Sequence, residues 1–102
     1  MDKEIYCIWK ESFEFDDPCL SSSERPIFFT TDKDQFNKTW NKIKQKQIEH
    51  FNKFKEESVD PEYKADYTIE TNTDDELTLY MGNWSYRWWK MNYEMDKLYF
   101  NI

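Results

Sequence analysis

The sequence predicts an α+β domain: one long amphipathic helix packed across a mainly antiparallel sheet of about five strands, in strand–strand–helix–β-meander order. Three observations point there. An apolar stripe of helical period occupies the middle of the chain, period-two alternation flanks it on both sides, and the single glycine among 102 residues, Gly82, sits between two alternating runs.

At the N-terminus Ile5, Cys7 and Trp9 alternate, followed past Glu11 by Phe13 and Phe15. This predicts a strand, or a bent pair of strands, from about Glu4 to Phe15. "DDPCLSSSERP" reads as a polar loop and "PIFFT" as a short strand feeding the helix.

The helix is expected from about Asp32 to Glu57. Phe36, Trp40, Ile43, Gln47, Phe51 and Phe54 follow one another at spacings of 4, 3, 4, 4 and 3 residues, which places them in one stripe. Thr31 and Asp34 have the spacing of a capping box, with Asp in place of Glu. Asp32 and Asp34 suit the positive end of the helix dipole. "ESVDP" ends the element, because Pro61 cannot continue it. At 1.5 Å per residue the helix would be about 40 Å long, enough to cross a sheet.

The C-terminal third reads as a meander. If "NTDDE" closes a hairpin, Thr71 lies opposite Leu77, Ile69 opposite Leu79 and Tyr67 opposite Met81, all on one side. Gly82–Asn83 then forms a two-residue turn of the primed type, pairing Met81 with Trp84, Leu79 with Tyr86 and Leu77 with Trp88. A further turn at Asp96–Lys97 would pair Met95 with Leu98, Tyr93 with Phe100 and Met91 with Ile102. The parity changes within this run. Trp84, Tyr86 and Trp88 point one way, and Trp89, Met91, Tyr93 and Met95 the other. A bulge at Trp88–Trp89 would bring both halves onto one core; a straight strand would serve two apolar surfaces, one of them facing solvent or a partner. The bulge, as the simpler repair of a broken alternation, is the expectation.

Length and composition fit one domain over residues 1–102, built around large rings, since aromatics are 20% of residues. Charged residues are 34% of the chain and no apolar run approaches the 18 residues of a membrane span. No secretory signal is visible in "MDKEIYCIWKESF", so a soluble, cytoplasmic protein is expected. Cys7 and Cys19 read as thiols, with Cys7 a small buried hydrophobe; with His50 alone they make no zinc spacing. No metal or cofactor is expected. One glycine cannot build a phosphate-binding loop, and His50 falls inside the helix, so no catalytic residue is assigned and no enzyme activity is expected.

The net charge of −7 is unevenly spread. Residues 1–24 hold seven acids against two bases, residues 25–57 eight bases against five acids, and residues 58–102 nine acids against four bases. Two acidic segments therefore flank a mildly basic one, which disfavours direct binding to a phosphate backbone. The scarcity of Gly, Ala and Arg beside abundant Lys, Asn, Ile, Phe and Tyr would follow from AT-rich coding, as in a low-GC bacterium or its phages and plasmids.

These features suggest a protein that acts by binding another protein with a basic surface. Small acidic domains can occupy the cationic groove of a nucleic-acid-handling enzyme by exploiting the steering meant for DNA or RNA. Phage and plasmid inhibitors of restriction or CRISPR enzymes have this size, charge and lack of catalytic motif. That likeness is one of type. In a phage setting the location would be the host cytoplasm. An immunity protein or antitoxin against a toxic nuclease fits the same physics, and a homo-oligomeric structural or assembly protein is the third reading. The expected contacts are Glu14, Asp16, Asp17, Glu70, Asp74, Asp75 and Glu76, in loops and on a solvent face. Trp88 and Trp89 are candidate aromatic anchors. The chain itself would be a monomer or a homodimer.

Overall fold

The computed structural model describes residues 4–14, 23–57 and 67–94. Among these described residues, five strands and one helix run in the order β1 (Glu4–Glu14), β2 (Ser23–Thr30), α1 (Lys33–Glu57), β3 (Tyr67–Asn72), β4 (Glu76–Met81) and β5 (Trp84–Glu94). The strands form one sheet, ordered β2-β1-β5-β4-β3, with every neighbouring pair antiparallel. The expected strand pairing after Asp96–Lys97 lies outside the described residues.

The last strand of the meander does not stay at an edge. β5 inserts between β4 and β1 and pairs with β1 from Glu4↔Glu94 to Glu14↔Trp84 without a register shift. Its pairing with β4 is also unbroken and places Met81 opposite Trp84, Leu79 opposite Tyr86 and Leu77 opposite Trp88, the register read from the turn. Gly82 has φ of 64° and Asn83 does not have positive φ, the pattern of a type II′ turn. The bulge expected at Trp88–Trp89 is therefore absent. A strand paired along its length on one side, and over half of it on the other, has no room for an unpaired residue, and both parities find apolar neighbours.

The bulges fall on the edge strands. Tyr67 opposes Met81 and Ile69 opposes Leu79, as read, but Thr71 opposes Thr78 because Glu70 is left out of the ladder. On β2 the partner of Ile8 is Phe28 while that of Trp9 is Pro26, so Ile27 is the extra residue. β2 begins at Ser23, earlier than "PIFFT", because Pro26 is tolerated on an edge strand.

The helix starts one residue later than the spacing suggested. Asp32 is the N-cap: its Oδ1 accepts hydrogen bonds from the backbone N–H of Asp34 at 2.9 Å and of Gln35 at 3.3 Å. Thr30, not Thr31, supports it, accepting from the Asp32 N–H at 3.1 Å and donating to Gln35 Oε1 at 2.9 Å. The stripe packs as read through Phe36, Trp40, Ile43 and Phe51, with Ile48 added. Phe54 is 52% exposed, so the stripe ends a turn early.

Against this stripe the sheet presents Ile8, Leu77, Leu79 and Trp88, all buried. Tyr6 meets Phe36 with ring centroids 5.0 Å apart and Phe51 meets Tyr67 at 6.1 Å, so α1 runs obliquely from β1 to β3. On β1 it is Tyr6 and Ile8 that face the helix. The alternating row Ile5, Cys7, Trp9 lies on the other side. The shortest extent of the fold, 16 Å, corresponds to one sheet and one helix layer. Among the described residues no helix is long and apolar enough to cross a membrane.

Trp40 is 2% exposed, and its truncation to Ala should lower the unfolding free energy by about 3–5 kcal/mol in urea denaturation. Phe54→Ala should change it by less than about 1 kcal/mol. Comparable losses from the two would mean that the helix packs through a different face.

Candidate functional site

Residues directly opposite in the ladder share a face, and successive residues along a strand change face. Across β2, β1 and β5 the side away from the helix carries Phe29–Cys7–Met91, then Pro26–Trp9–Trp89, then Glu24–Glu11–Arg87. The strand order thus assembles an apolar half beside a charged row. Phe29 is 72% exposed, and Ile27 and Met91 are each 39% exposed. Among the described residues no element packs on this side.

The centre of the face is a stack. The Trp9 and Trp89 rings lie 6.1 Å apart at 15°, and the Arg87 guanidinium sits 4.5 Å from the Trp89 centroid. Glu76, opposite Trp89 in the ladder, forms a hydrogen-bonded ion pair with Arg87 Nε. Arg87 is thereby held between an indole and a carboxylate. Both partners are partly exposed, so the ion pair itself contributes little to stability. Next to Trp9, Glu11 has Glu24 directly opposite it on β2, a like-charge pair whose repulsion is worth roughly 0.2–1 kcal/mol, and Arg87 opposite it on β5.

Basic side chains are sorted between the two sides. Lys3, Lys64 and Lys97 lie outside the described residues; of the remaining Lys and Arg, only Arg87 belongs to the open side. Lys10 and Lys90 point to the helix side. Lys10 Nζ lies over the Tyr86 and Trp88 rings, and Lys90 Nζ over those of Phe36 and Trp40. The other described lysines are on α1.

The acids expected to act together do not form one group. Glu14 pairs with Trp84 and Glu76 with Trp89, five residues apart on β5, or about 17 Å. Glu14 thus ends β1 far from Glu70, Asp74 and Asp75. Asp16 and Asp17 lie outside the described residues. The turn before β4 is built by Thr73, whose Oγ1 accepts from the N–H of Asp75 at 3.3 Å and of Glu76 at 3.1 Å. Lys44 Nζ donates to the Thr73 carbonyl at 2.6 Å and ties this turn to the helix. Glu70, Asp74 and Asp75 stay exposed, whereas Glu76 is engaged by Arg87.

The two aromatic anchors separate as well. Trp88 is 3% exposed and belongs to the core, so it is unavailable to a partner. Trp89 is on the open side. Trp9, Glu11, Glu24 and Phe29 were missed by the sequence reading. The signal for Trp9 was "IYCIW", which, like β5, is apolar on both parities.

A cleft of about 140 Å³ between α1 and β5 is lined by Lys10, His50, Phe51, Tyr86 and Trp88, among others, without a carboxylate. Cys7 is a free thiol on the open side, whereas His50 is on the helix, so the sheet separates them. Among the described residues no three His, Cys, Asp or Glu side chains converge. Burial pushes the Cys7 thiol up. Burial, and then the nearby Tyr67, raise the Tyr86 hydroxyl, while a hydrogen bond to Glu4 Oε2 at 2.9 Å is the main cause of the rise at Tyr6.

Two measurements check this surface. Replacing Glu24 with Lys turns a like-charge pair into an attractive one and should raise Tm by about 1–5 °C; an unchanged or lower Tm would show that Glu11 and Glu24 do not interact. Tyr6 and Tyr86 hold their protons more tightly in the folded chain. Their contribution to stability is complete below about pH 10 and is lost as pH rises through the raised folded values. Ultraviolet titration should show a late-ionising tyrosine class that disappears in urea.

No family profile, curated protein or solved structure matches this chain, so the functional reading rests on the geometry of its own surface.

Proposed function

We propose that the protein works by binding another protein and blocking it. The partner in this reading is a nucleic-acid-handling enzyme of a phage-defence system, of restriction or CRISPR type, whose cationic groove the protein occupies. The carrying observation is the sorting of basic charge: lysines are gathered on the helix side, and the open sheet side sets exposed Phe29 and half-buried Trp9 and Trp89 beside Glu11, Glu24 and Glu76. An anionic surface with an aromatic centre is attracted to a positive cleft by long-range steering and retained by ring burial at short range.

The edges of the sheet support contact through a face. Both edge strands carry a bulge, at Ile27 and at Glu70, and β2 also carries Pro26. These features oppose strand-to-strand addition. A second reading, a homo-oligomer joined through the open face, is favoured by the unbroken register of β5.

Capture from a bacterial lysate, washed at low and at high salt, tests the first reading. Recovery of a DNA- or RNA-handling enzyme, weakened at high salt and displaced by duplex nucleic acid, is the expected result. A stable dimer in sedimentation at micromolar concentration, with no other protein recovered, would replace inhibition by self-assembly.

A further inference from the structure

We propose that the open side of the sheet is the docking face, and that it takes a basic surface of a partner protein with an arginine laid against Trp9 between Glu11 and Glu24. This rests on the protein-binding reading above and names its surface. The face already holds one guanidinium in the same way. Arg87 lies over Trp89, 4.5 Å from the ring centroid, and is paired to Glu76. One strand over, the same chemistry recurs as Trp9 with Glu11 and its cross-strand neighbour Glu24. There the carboxylates face each other, and Arg87 is bound to Glu76. The like-charge pair weakens the fold locally, and a cation from outside relieves it.

Arginine suits this place better than lysine, because its planar cation stacks on an indole and forks two N–H donors to carboxylates. A partner other than a second copy is favoured by charge. Among the described residues of β2, β1, β5 and β4 the open side sets Glu11, Glu24 and Glu76 against Arg87, and each copy carries a net −7, so two such faces repel. The face covers on the order of 700 Å² from the strand dimensions, near the share one partner contributes to a standard interface. The exposed acids Asp74 and Asp75, which belong to the turn rather than the face, are then peripheral.

The test is an NMR titration of the ¹⁵N-labelled full chain with octa-arginine and octa-lysine peptides. Amide shifts are expected at Trp9, Glu11, Glu24 and Phe29, with octa-arginine bound about threefold tighter than octa-lysine. Glu11→Gln with Glu24→Gln should weaken octa-arginine about tenfold, and Asp74→Asn with Asp75→Asn less than about twofold. Shifts confined to residues 73–76, equal binding of the two peptides, or self-association through the open face without peptide would each overturn the proposal. The same variants separate it from the reading it rests on. If wild type and Glu11→Gln/Glu24→Gln capture the same enzyme equally, the face is wrong and inhibition stands. If the peptide maps to the face but no partner enzyme is captured, the face stands and inhibition falls.

Discussion

The antiparallel pairing of β1 with β5 is the constraint on which the rest depends. It joins the two ends of the described chain and places β5 in the interior of the sheet. With backbone partners on both sides, β5 runs straight through Trp88 and Trp89, and its side chains divide strictly by parity. Trp88 then enters the core against α1 while Trp89 stacks on Trp9 across the sheet. Any residue inserted between them would break this division along the remainder of the strand. The two-sided character of the molecule thus follows from one uninterrupted ladder.

On the helix side, few but large groups close the core. Ile8, Leu77, Leu79 and Trp88 meet Phe36, Trp40 and Phe51, and the stacked rings Trp84, Tyr86 and Trp88 extend the apolar surface along β5. Lys10 and Lys90 cover the borders of this core, their ammonium groups lying over rings while their aliphatic stems shield apolar area. Trp40 Nε1 is buried without an acceptor among the described residues, so its position is held by packing. Lys10 and Lys90 thus set their charge over rings on the helix side, as Arg87 does over Trp89 on the open side.

The opposite side is left with what these requirements do not use: exposed Phe29 and Met91, the Trp9–Trp89 stack, and carboxylates with one arginine. A sheet with one covered face normally shows polar residues on the other. Here the second face is apolar at its centre, no described element packs on it, and the two outer strands of the described sheet are bulged, which disfavours strand addition. The link from fold to proposed function runs through this asymmetry.

Much of the fold was legible because its signals are local. The stripe from Phe36 to Phe51, the turn at Gly82–Asn83 and the register from Leu77 to Trp88 each depend on residues close together in the chain, where period and turn chemistry dictate the geometry. Acidic charge and the abundance of rings were equally plain. The shift of the helix cap to Asp32 is also local, made by hydrogen bonds among residues 30 to 35. Two things were decided by tertiary structure. The acids were split because Glu14 and Glu76 meet β5 five residues apart. Trp88 and Trp89 took opposite roles, core and surface, because the pairing of β1 with β5 crosses most of the sequence, and alternation within a strand cannot say which strand will lie beside it or which face the helix will cover. The sequence by itself determined the elements, their local register and the surplus of aromatic surface; only the long-range ladder decided which half of that surface is core and which lies on the side away from the helix.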